Sequence, residues 1–145
     1  MVRPLAAAGA LVCVSLLTAC SGSSASARLH GPLLVSDGRW DSGMAAALGG
    51  QLARVGPCIG LGESMVVWPD GVSWDEDAES LVLPDSTPVG LGDDVSGGGG
   101  SMTTSSVDSL CGPDAADALR ECGVDVGSEV IVFNVGSSVS TEPVS

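Results

Sequence analysis

The chain predicts a mainly β domain, a small barrel or a sandwich carrying one short helix. Two observations predict it. Glycine supplies 21 of the 145 residues and proline eight, a usage that favours short strands joined by tight turns over a helical bundle. Between those turn residues lie short apolar runs of strand length, and only one segment carries the boundary signals of a helix.

The first strand spans Leu29 to Ser36, with Leu33-Leu34-Val35 at its centre, and stops at the turn pair Asp37-Gly38. Met44 to Leu48 reads as a turn of helix. Gln51 to Val55 is the next strand, which Gly56-Pro57 breaks before Cys58-Ile59-Gly60-Leu61. Met65-Val66-Val67-Trp68 follows and ends at the turn Pro69-Asp70-Gly71. Its unbroken apolar character predicts a strand buried on both faces. Ser80 to Leu83 and Thr87 to Leu91 form the arms of a hairpin around Pro84-Asp85-Ser86. The glycine run from Ser96 to Ser101, with the polar stretch Met102 to Ser106 behind it, reads as a flexible or close-packed turn between strands. Pro113 to Glu121 is the helix. Pro113 occupies its first position, Asp114 and Asp117 lie toward its positive end, Arg120 lies near its negative end, and Gly123 stops it. Glu129 to Val135 is the most apolar strand. Six or seven strands in about 125 residues bury one core, and a five- or six-stranded barrel, with the oligonucleotide/oligosaccharide-binding type among the candidates, fits that count best. Pattern alone leaves the strand order open.

Ahead of this domain, residues 1–19 form a leader. Met1-Val2-Arg3 is a short positive start and Leu5 to Ala19 an apolar run of 15 residues, the layout of a secretory signal. The run is shorter than the roughly 20 residues that a membrane-crossing helix needs. At its end stands Leu17-Thr18-Ala19-Cys20, which closely resembles the lipobox of bacterial lipoprotein precursors. The resemblance implies cleavage between Ala19 and Cys20, a diacylglycerol on the Cys20 thiol, and a location on the outer face of the cell membrane. Two or more acyl chains suffice for stable anchoring. Residues 20–28 then comprise the lipidated cysteine and the small-residue linker Ser21 to Ala27, residues 29–136 the domain, and residues 137–145 a Ser-rich disordered tail. Cys13, inside the apolar run, serves as a small hydrophobe.

Charge and composition exclude several function classes. Eighteen acids against five basic residues give 5 − 18 = −13, which excludes a nucleic-acid binder on electrostatic grounds. Loss of Arg3 with the leader takes the exported part to 4 − 18 = −14. All five basic residues are arginine, so Schiff-base chemistry and a phosphate-gripping lysine are excluded, and the glycine run lacks the Lys-Ser/Thr that a phosphate cradle requires. The single histidine, His30, reads as a surface residue. Neither a cofactor nor a metal site is expected.

Three cysteines remain in the exported part. An oxidising compartment predicts one disulfide. Cys111 and Cys122 flank the expected helix and stand about 15 Å apart at 1.5 Å per residue, beyond the roughly 7 Å limit of a bridge. Cys58 is therefore the shared partner, paired with Cys122 in the preferred reading and with Cys111 in the alternative. The acidic run Asp75-Glu76-Asp77-Ala78-Glu79 reads as a solvated turn, since it lacks the glycine and distal glutamate of a helix-loop-helix calcium site.

A second resemblance rests on Trp68-Pro69-Asp70-Gly71, Trp74-Asp75, Leu83-Pro84-Asp85-Ser86-Thr87-Pro88-Val89, Gly92-Asp93-Asp94-Val95-Ser96 with the glycines behind it, and Val132-Phe133-Asn134. This succession resembles small actinobacterial lipoproteins of no assigned activity, over roughly Cys58 to Asn134. Ser86 stands where that pattern more usually has glycine, and Cys111 to Gly123 looks like an elaboration. Two function classes follow. The first is a non-catalytic, membrane-anchored interaction or ligand-binding module facing a protein or wall polysaccharide. The second is a carboxylate-dependent hydrolase of the glycosidase type, with Asp70 and the acids of 75–79 as its groups and Trp68 or Trp74 stacking on sugar. No catalytic residue stands out, and the first class is the expectation.

Overall fold

The structure is a computed structural model that describes residues 26–36, 44–134 and 139–142. Cys20, its leader, most of the linker and the turn expected at Asp37-Gly38 lie outside those residues. Ten strands follow one another in the described chain: β1 (Ala27–His30), β2 (Leu33–Ser36), β3 (Ala46–Val55), β4 (Cys58–Leu61), β5 (Ser64–Trp68), β6 (Ser73–Asp75), β7 (Ser80–Val82), β8 (Pro88–Gly90), β9 (Asp94–Thr103) and β10 (Glu129–Phe133). The helices α1 (Thr104–Cys111) and α2 (Pro113–Glu121) connect β9 to β10.

Five of the strands close into a barrel. β3 pairs antiparallel with β4, β4 with β5, β10 with β9 and β9 with β3, while β10 runs parallel to β5 and completes the ring. Counted in chain order, the ring reads 1-2-3-5-4-1 with its one parallel pair between the third and fifth strands. That is the connectivity of the oligonucleotide/oligosaccharide-binding barrel. β2 lies parallel to the second half of β5, with Leu34 opposite Val67 and Val35 opposite Trp68, and carries β1 as an antiparallel outer strand. β6, β7 and β8 form a separate three-stranded antiparallel sheet inserted between β5 and β9.

Strand periodicity sorts the apolar residues into two cores, because successive side chains point to opposite faces. On β5, Val66 and Trp68 face the barrel interior with Ile59, Leu61, Leu52 and Phe133, while Met65 and Val67 face outward against Val107, Ala115, Ala118 and Leu119 of the helices. β10 divides in the same way, with Phe133 inward and Val130 and Val132 outward. β5 is thus buried on both faces, as its composition predicts.

Several elements differ from the sequence reading. The glycine run is no turn: Gly97 to Gly100 lie within β9, Gly97–Gly99 pairing with Leu48–Ala46 of β3 and Gly99–Gly100 with Phe133–Val132 of β10. A Cβ on Gly99 would overlap the Val132 carbonyl oxygen, and one on Gly100 would overlap the Met44 sulfur, so Gly99 serves a close backbone approach and Gly100 leaves room for the Met44 side chain. Met44 to Leu48 forms no helical turn, since Ala46–Leu48 belong to β3, where pairing with β9 overrides the helix propensity of alanine and leucine. There are two helices among the described residues where one was expected. The polar run after the glycines starts α1, with the Thr103 side chain accepting from the Ser106 N–H and Val107 and Cys111 buried four residues apart.

The single strand expected over Leu29 to Ser36 is a hairpin, broken at Gly31, whose φ of 61° suits glycine. The structured domain starts earlier and ends later than 29–136. Ala27 is already buried in β1, Val139 packs into the barrel core, and Ser140 exchanges two backbone hydrogen bonds of 2.8 Å with Ser96.

Candidate functional site

Oligonucleotide/oligosaccharide-binding barrels offer ligands the outer face of their second and third strands, flanked by loops. In this chain those strands are β4 and β5, and that face is covered. Cys58, Met65 and Val67 point outward and are buried against Val107, Cys111, Ala115, Leu119 and Cys122. A disulfide between Cys58 and Cys122, with Cα atoms 5.4 Å apart, fastens the start of β4 to the end of α2 across 64 residues. Of the two pairings derived from spacing, Cys58–Cys122 is the one formed. Cys111 is buried in the same layer and takes no part in the bridge.

Open concave surface lies instead where the β1–β2 hairpin faces the loop and strand after β5. A groove of about 410 Å³ there is lined by His30, Val35, Asp70, Val72, Trp74 and Glu76 among others. Each residue arrives by a local rule. Pro69 ends β5, and Asp70 accepts the Gly71 N–H at 3.0 Å in a turn where Gly71 has a φ of 96°. The chain then reverses into β6, which carries Trp74. The indole is half-buried and rests on the barrel core, while Glu76 follows in the β6–β7 turn and is exposed. His30 enters from the exposed end of β1.

The remaining candidates separate cleanly. Trp68 is fully buried, donates from Nε1 to the Ile59 carbonyl at 3.1 Å and packs on Phe133 at 5.5 Å between ring centroids, so it cannot stack on a sugar. Asp75 accepts the backbone N–H groups of Asp77 and Ala78, each at 3.0 Å, and therefore organises its own turn. Glu79 pairs with Arg54 at 2.6 Å. The acids of 75–79 thus disperse, and only Glu76 joins Asp70 in the groove. Sequence reasoning grouped Asp70 and Trp74 with the acids of 75–79 but left His30 out, because its approach requires two segments 40 residues apart in the chain to meet. The phosphate-cradle idea fails on position, since the glycine run is flanked by barrel strands on both sides.

No protein-family model, curated protein or solved structure matches this chain.

Proposed function

We propose that this protein is a lipid-anchored, extracytoplasmic binding module without catalytic activity, held on the outer face of the cell membrane through Cys20, with the Trp74 groove as its ligand site. The observation that carries the anchoring is Leu17-Thr18-Ala19-Cys20 at the end of a 15-residue apolar run. The Cys58–Cys122 disulfide supports it, because such bridges persist in oxidising compartments. β1 begins at Ala27, 27 − 20 = 7 residues after that cysteine, which keeps the domain within about 25 Å of its anchor at the full extension of the chain. The net charge of −14 keeps a tethered domain soluble and repels it from an anionic bilayer.

The test is Cys20→Ser. Cells labelled with a fatty-acid analogue and fractionated are expected to lose both the label and membrane retention of this chain. Unchanged labelling would refute the anchor. The second reading, a carboxylate hydrolase acting on wall polysaccharide, is favoured by Asp70 and Glu76 lining one groove beside Trp74. It requires that polysaccharide cleavage by the purified protein fall with Asp70→Asn and Glu76→Gln.

A further inference from the structure

On the reading of the Trp74 groove as a ligand site, we propose that its occupant is an organic cation, an ammonium or guanidinium group presented by a small polyamine or by a basic side chain. The groove brings an indole together with two carboxylates, Asp70 and Glu76. An indole face attracts a cation through its quadrupole, and tryptophan does so best among the aromatic residues. The carboxylates supply acceptors for the N–H groups of the same cation, as charge-assisted hydrogen bonds.

What separates a cation from a neutral saccharide is the charge left in the groove. Among the described residues no arginine lines it, and His30 is the one basic side chain there. The described arginines are engaged or placed elsewhere: Arg54 pairs with Glu79, Arg120 pairs with Asp117, and Arg28 lines a different groove beside α2. A neutral sugar would leave the field of Asp70 and Glu76 uncompensated, whereas a cation neutralises it. The acidic balance of the whole chain raises the local concentration of cations at the groove mouth. Val35 and Val72, buried in the barrel core, form an apolar floor for the methylene stem that carries an amine or guanidine.

The experiment is calorimetric titration of the full-length protein in non-ionic detergent with spermidine, with N-acetyl-lysine amide, with N-acetyl-arginine amide and with a neutral chito-oligosaccharide. Saturable one-site binding of a cation is expected. Asp70→Asn with Glu76→Gln, which preserve shape and the Asp70 turn acceptor, should weaken it about tenfold, and so should Trp74→Leu. Thermal unfolding of each variant checks that it folds, and the carboxamide pair, being exposed, carries the test if the indole variant does not. Binding should also weaken as added salt shortens the Debye length from about 30 Å to about 8 Å. Spermidine binding alone assigns a free polyamine, and binding of the amides assigns a basic side chain. Equal affinity of wild type and the carboxamide pair overturns the proposal, since it reports diffuse counterion attraction. Saccharide binding without cation binding overturns the proposal while leaving the groove a ligand site. Silence toward all four probes removes the site itself and leaves the Cys20 anchor untouched.

Discussion

Inside the barrel β5 meets large side chains, Trp68 on Phe133 with Leu52, Ile59 and Leu61 around them. On its outer face it meets mostly smaller ones, Ala115, Ala118, Val107 and the cysteines, together with Leu119. Burial of apolar area contributes roughly in proportion to that area, and the helix layer carries in addition the Cys58–Cys122 tie. The difference teaches that the two faces of one strand are held in different ways, one by aromatic packing and the other by packing with a covalent tie.

Three changes sharpen the comparison. The largest effect is expected for Trp68→Ala, which empties the interior and leaves the Ile59 carbonyl without its donor, at a cost of about 3–5 kcal/mol. Chemical denaturation should show it as a lower midpoint, and Trp68→Phe, which keeps most of the volume, should lose less. Equal losses would mean that the aromatic layer is not what holds the barrel. Next comes Cys58→Ser with Cys122→Ser, expected to lower stability by about 4 kcal/mol in the chain-entropy model for a 64-residue loop. The accompanying test is a thiol count: wild type denatured without reductant should titrate one fewer pair of thiols than the reduced protein, and equal counts would show the bridge to be absent. The smallest is a gain. Ser86 has a φ of 71°, a region that favours glycine, so Ser86→Gly should raise the unfolding free energy by about 0.5–1 kcal/mol, read as a higher denaturation midpoint. The same turn has a pH signature, because the Thr87 hydroxyl and then its backbone N–H hold the Asp85 carboxyl below its ordinary value of 3.8. A lowered folded value means that this contribution is present above the ordinary carboxylate range and is lost as pH falls through the folded value.

Much of the architecture was legible. The strands Cys58–Leu61 and Ser64–Trp68 and the helix Pro113–Glu121 follow from continuous apolar runs and from Pro113 and Gly123 as boundaries. The disulfide follows once the helix separates Cys111 from Cys122. What stayed hidden has one physical source. Glycine signals a turn in local reading, yet Gly97–Gly100 in β9 and Gly49–Gly50 in β3 lie within paired strands, and at Gly99 the Val132 carbonyl leaves no room for a Cβ. α1 was hidden because only Val107, Leu110 and Cys111 are apolar among its eight residues, so its amphipathic stripe is short. Of the candidate groove, Asp70, Trp74 and Glu76 stand close together in the chain and were legible there, whereas His30 reaches it only through tertiary placement. The positive φ of Ser86, a region that suits glycine, emerges only in the folded turn.

The position of β10 has a consequence for how the molecule is made. It lies between β5 and β9 and is the last barrel strand along the chain. Until Phe133 has left the ribosome and reached its neighbours, both strands present bare edges, and the sheet is an unrolled ribbon open to mispairing. Long-range pairing of this kind folds slowly, so the barrel closes only once its last strand has arrived.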